Sequence, residues 1–135
     1  MTYVADGITY NPGSGLKSIF RPGLLGKGIT DDIPYDFIKL SLEKIDKALA
    51  RNHEEYAGSG GEGRDISKFS DIEHNIDSMK TEFMPFLMCR YGEANELVVE
   101  NGRHRIAYLH ERNYKSIWCV IPAEQKSIFQ SHYSQ

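Results

Sequence analysis

The chain has 135 residues, 26% of them charged and 40% apolar, which suits one folded domain with a real core. Its net charge of −3 argues against broad DNA binding, which needs a basic surface, so any nucleic-acid contact would rest on a local patch. No apolar run approaches the roughly 18 residues of a bilayer span, and Met1 to Asp6 lack the basic and apolar stretches of a signal peptide, so a cytoplasmic protein without membrane insertion is expected.

Residues 1–34 hold Pro12, Gly13, Gly15, Pro22, Gly23, Gly26, Gly28 and Pro34, a composition of loops with one or two short strands. Phe37–Leu40 reads as a strand. Ser41 then caps a helix whose apolar positions Leu42, Ile45, Ala48 and Leu49 recur at helical spacing, ending near Asn52. Tyr56 to Arg64 is no regular element, because four glycines in the six positions from Gly58 to Gly63 cost too much backbone entropy. Ser70 and Glu73 form a capping-box pair for a second helix, with Ile72, Ile76 and Met79 as its buried stripe.

Phe86–Arg90 and Leu97–Val99 read as strands joined by a turn at Gly92 to Asn95. A helix follows from Gly102 to about Asn113. Ser116–Ile121 is apolar on both faces, as a central strand is, and Pro122 stops it. Residues 123–135 form a terminal helix with Ile128 and Phe129 facing inward. The expected core joins Leu87, Val98, Ile106, Leu109, Ile117, Trp118 and Val120, in an α+β fold with a small mixed sheet flanked by helices.

The segment Asn101-Gly102-Arg103-His104-Arg105 carries the strongest functional signal. A helix start already bears unpaired N–H groups and the positive end of the macrodipole, so stability alone would choose Asp or Glu there. Two arginines and a histidine at that end fit an anion, above all a phosphate. Asn101 and Gly102 permit a sharp turn and close approach of the backbone to a ligand. Arg103 and Arg105 offer forked donors, and His104 a ring N–H. Gly60, Gly61, Gly63 and Arg64 form a second candidate anion site, which should face Gly102 and Arg103 across a cleft and stay mobile until a ligand arrives. Glu54, Glu55 and Glu62 beside it are candidates for a general base.

His53, His74, His104, His110 and His132 lack zinc-site spacing, so no metal site is read from protein ligands. There is no Walker A ending and no Gly-x-Ser-x-Gly elbow, and Cys89 and Cys119 lie in apolar runs as buried thiols do.

The order strand, Gly-x-His-Arg, helix, strand resembles the ParB/sulfiredoxin superfamily, and the plasmid fertility inhibition branch most of all, over about Ile45 to Pro122. The resemblance rests on Asn101–Arg105, on the approach to the glycine segment from Tyr56 to Arg64, and on the final strand ending in Pro122. Arg103 stands where sulfiredoxins have their reactive cysteine, which removes a sulfinic-acid reductase reading. The helix-turn-helix of ParB partition proteins is lacking, which speaks against centromere binding. The resemblance implies a core over 35–122 and binding of ATP or another nucleotide, with magnesium in an enzyme of this kind. It also implies inhibition of conjugation or of a rival genetic element in bacteria. Protein partners of the kind implied are a conjugation coupling ATPase or a toxin. Two classes stay open: an ATPase, kinase or nuclease using an acidic residue near the loop, and an immunity or inhibitor protein that binds a partner without catalysis.

Overall fold

A computed structural model describes residues 3–5, 8–10, 34–75 and 84–135. The glycine- and proline-rich stretch at 11–33 and the stripe positions Ile76 and Met79 lie outside the described residues. Strands β1 (Tyr3–Ala5) and β2 (Ile8–Tyr10) form an antiparallel hairpin. A four-stranded mixed sheet follows, built from β3 (Tyr35–Ser41), β4 (Phe86–Cys89), β5 (Leu97–Asn101) and β6 (Ser116–Pro122) in the order β3-β6-β4-β5. β6 runs antiparallel to β3 and parallel to β4, while β4 and β5 are antiparallel. Helices α1 (Leu42–Leu49), α2 (Ser67–Asn75), α3 (Arg103–Glu111) and α4 (Lys126–His132) complete the described α+β architecture.

β6 sits inside the sheet, and its side chains are buried on both faces apart from the partly buried Trp118, as its unbroken apolar run requires. The Trp118 indole N–H donates to the Val4 carbonyl at 3.0 Å, so its polar tip is met by the N-terminal hairpin. Leu87, Ile106, Leu109, Ile117 and Val120 share one core, against which Val98 and Trp118 pack while partly buried. Phe129 is buried at 0% exposure, whereas Ile128 is only partly covered.

Local signals explain where most elements start. The Ser41 hydroxyl accepts the Lys44 N–H at 3.3 Å, the cap that opens α1. The expected Ser70–Glu73 capping box does not form, because α2 already begins at Ser67 and both residues lie inside it. The Asp65 carboxylate starts that helix instead, accepting the Ser67 N–H at 3.1 Å and the Ser67 hydroxyl at 2.6 Å. At the end of β4 the buried Gln125 amide binds the Cys89 backbone twice, accepting its N–H at 2.8 Å and donating to its carbonyl at 2.7 Å. Tyr91 (φ 54) and Gly92 (φ 74) then turn the hairpin in consecutive left-handed conformations.

Leu87 lies at 0% exposure in the inner strand β4. Leu87→Ala removes buried methyl groups from a site that neighbouring strands hold open, so urea denaturation should show a loss of about 2–5 kcal/mol. A loss below about 1 kcal/mol would contradict its central place in the core.

Candidate functional site

Gly102 adopts φ 96 and ψ 16 between β5 and α3, a left-handed turn that glycine makes without strain. A Cβ there would also approach Pro85 Cα to 2.8 Å. No side chain caps α3 and no acid stands in its first turn, so the positive helix end is left uncompensated from within the helix. Arg103 is exposed at this end, while His104 turns inward to 6% exposure.

Two cavities meet here. The first, about 380 Å³, lies between α1, the glycine segment, the β4–β5 hairpin and α3, with Arg51, Asn52, Tyr56, Gly58, Arg90 and Ile106 among its walls. The second, about 600 Å³, is lined by Lys68, Asp71, Glu100, Asn101, Gly102, His104 and Arg105. Glu55, Val99 and Arg103 line both. Of the three glutamates suggested by sequence, Glu55 is the one placed on these cavities. Glu62 instead lies 3.8 Å from His53 at the surface, and Glu54 is exposed.

The glycine segment does not form the open anion cradle expected. The N–H groups of its second half already have backbone acceptors: Gly61 donates to the Gly58 carbonyl (3.0 Å), Glu62 to His53 (2.9 Å), Gly63 to Tyr56 (3.1 Å) and Arg64 to Gly61 (3.4 Å). The glycines permit close folding of the loop on itself. A Cβ on Gly61 would meet the Tyr56 carbonyl oxygen at 2.1 Å, and one on Gly63 the Glu55 carbonyl oxygen at 2.4 Å. Gly60 is the exception, with open space around it and φ +83. Gly60, Gly61, Gly63 and Arg64 line neither cavity, although the loop does lie against α3.

Three contacts tie the loop down. The Arg64 guanidinium forms two parallel 2.8 Å bonds with the Glu111 carboxylate at the far end of α3 and stacks 4.6 Å from the Phe69 ring centroid. The Tyr56 hydroxyl donates to the Asp46 carboxylate of α1, at 2.8 Å to Oδ1 and 2.9 Å to Oδ2. Burial and that carboxylate push the Tyr56 pKa up to about 12. The Asp65 N–H donates to His104 Nε2 at 2.9 Å, so this nitrogen is an acceptor and the ring is in its neutral, Nδ1-protonated form. Burial first, then the positive charges of Lys68 and Arg103, lower the His104 pKa.

Arg103, Asn101, Gly102, His104 and Arg105 are therefore brought together with Glu55, while Arg64 and its glycines are used to dock the loop. Lys68 and Arg90 are cavity residues that sequence reasoning missed. A cation directly after the apolar strand Phe86–Cys89 was the visible trace of Arg90, and Lys68 carried none. Among the described residues no three His, Cys, Asp or Glu side chains are grouped to hold a metal ion. No helix among the described residues is long and apolar enough to cross a membrane. Comparison with protein-family models, with curated proteins and with solved structures gives no match.

The His104 geometry sets a pH dependence. In the unfolded chain this histidine takes up a proton near pH ~6.5, whereas in the fold it resists protonation. The unfolded state therefore binds more protons, and the contribution present above about pH 6.5 is lost as pH falls through the lowered folded pKa. Urea denaturation at pH 7.5 and 5.5 should show a smaller acid-side loss in His104→Gln than in the unaltered chain. Equal losses would contradict the neutral, accepting role of this ring.

Proposed function

We propose that the chain binds a nucleotide or another phosphate-bearing ligand at the start of α3. One observation carries this reading: Arg103, on an uncapped helix end, lies at the junction of two adjoining cavities. The N–H groups of a helix's first turn have no intrahelical acceptors, and a phosphate placed there meets both those donors and the macrodipole. Lys68 faces the same space from α2. Burial lowers the His104 pKa most, and the positive charges of Lys68 and Arg103 add to that lowering. Two oxygens of a phosphate suit the planar fork of Arg103, and Arg105 lies on the same cavity wall.

Magnesium accompanying a nucleotide is held largely by phosphates and water, with few protein carboxylates. Glu55 is the carboxylate shared by both cavities, so it is the residue to test for a general-base or metal-linked role in an ATPase, kinase or nuclease. The order β4, β5, Gly-x-His-Arg, α3, β6 supports a ParB/sulfiredoxin-like reading of the fold. The biological setting, inhibition of conjugation or of a rival element within a bacterial cytoplasm, is carried only by the resemblance in Asn101–Arg105, in the approach to the glycine segment and in the final strand ending in Pro122.

Calorimetric titration with nucleoside triphosphates and inorganic tripolyphosphate, with and without magnesium, tests the proposal. Binding should weaken about ten- to hundredfold in Arg103→Ala while the thermal midpoint without ligand stays within a few degrees. Undiminished affinity in the folded variant would overturn the role of Arg103.

A further inference from the structure

A hydrogen bond joins two walls of the 600 Å³ cavity. Lys68, Asp71 and Ile72 of α2 line one side, and Asn101 to Arg105, where β5 ends and α3 starts, line the other. The joint is the bond from the Asp65 N–H to His104 Nε2, at 2.9 Å. Asp65 is also the residue that starts α2, since its carboxylate accepts the Ser67 N–H and hydroxyl. Its carbonyl accepts the Lys68 N–H at 3.1 Å, so a displacement of Asp65 carries Lys68 with it. His104 thus helps to place a cation of the proposed phosphate site while standing next to Arg103 in the chain.

That bond belongs to one protonation state. Nε2 accepts only while the ring is neutral; a proton there makes both ring nitrogens donors, and the Asp65 N–H then meets another N–H. Groups from each neighbouring element bear on this proton. Burial opposes it most, then the charges of Lys68 on α2 and Arg103 on α3, while the Asp65 carboxylate and the Gly63 backbone favour it. Phe69 of α2 makes a T-shaped contact with the ring at 5.9 Å between centroids and adds no charge. Gly63 and Asp65 are two positions apart, so a charged ring finds a carbonyl acceptor beside the N–H it gives up. One proton therefore chooses between two partners on a single segment.

We propose that His104 is a proton-operated latch on this cavity: neutral, it holds the start of α2 and Lys68 at the phosphate site, and protonated, it releases them. The inference rests on the phosphate-binding reading of the α3 start. Because the folded ring resists protonation, the latch is closed at neutral pH and opens as pH falls through a value below ~6.5. The site then loses Lys68 from its cationic wall, while Arg103 and the N–H groups of the first turn of α3 remain.

Inorganic sulfate is the probe, because it keeps both charges from about pH 7.5 to about pH 4.5, where phosphates and histidines titrate. Every carboxylate or histidine that takes up a proton over this range makes the cavity more positive, so charging alone tightens sulfate binding as pH falls. The latch gives the opposite sign. Calorimetry should show roughly tenfold weaker binding at the acid end, the loss of one charge-assisted contact. His104→Gln, whose amide oxygen accepts an N–H but does not titrate, should lose this weakening. Without sulfate, NMR should show the Asp65 and Lys68 amides moving with the same midpoint as the His104 ring. The Asp65 carboxylate does not confuse that reading, because its hydrogen bonds with Ser67 hold it below the usual carboxylate range. Should His104→Gln fail to fold, agreement of these midpoints in the unaltered chain decides alone. Sulfate binding that is unchanged or tighter at the acid end, or that weakens equally in His104→Gln, overturns the latch and leaves the phosphate site standing. Amide midpoints that depart from the ring's also overturn it. Sulfate that binds at neither pH overturns the phosphate site, and the role of the latch in ligand binding with it.

Discussion

The backbone at Gly102 is the constraint on which the site depends. At φ 96 the chain leaves the edge strand β5 and enters α3 at once, and Pro85 Cα lies where a Cβ would need to be, at 2.8 Å. A larger residue would meet both the left-handed penalty and that clash. Because the turn is so tight, consecutive side chains take opposite roles. Arg103 remains exposed at the shared wall of the two cavities, and His104 is buried to accept the Asp65 N–H. One glycine thereby links the cavity-facing surface to the docking of the neighbouring loop.

That docking changes how the glycine segment should be understood. Glycine runs and arginines suggest anion cradles because free amides and guanidinium groups suit phosphate. Here the amides from Gly61 to Arg64 have internal acceptors and the Arg64 charge is matched by Glu111. The loop's role is to close against itself and lie on α3, with Tyr56 reaching Asp46 of α1 as a further tie. Lys68 of α2, Arg103 of α3 and Arg90 at the hairpin end are cationic residues that line the cavities. A site on such elements is held more rigidly than one on a free loop.

The parts legible in the sequence were those encoded by short-range chemistry. Ser41 announced the start of α1, the double-sided apolar run announced the inner position of β6, and Gly102 announced the turn into α3. The start of α2 was misread because two serines stood near it, and the Asp65 side chain chose Ser67 over Ser70. Long-range contacts left no local trace. Arg64 and Glu111 lie 47 positions apart, and Asp65 and His104 lie 39 apart, so neither pairing could be read from spacing. The orphaned Nε of Arg90 is likewise a property of its tertiary surroundings.

On the proposed reading an anion binds at the start of α3, and the glycine loop is docked on that helix without taking part. Backbone amide NMR during a titration with inorganic tripolyphosphate tests this most directly. The largest shifts are expected at Gly102, Arg103 and His104, with much smaller ones at Gly61, Glu62 and Gly63, whose N–H groups already have acceptors. The reverse pattern, with the loop amides moving and the helix start unchanged, would contradict it.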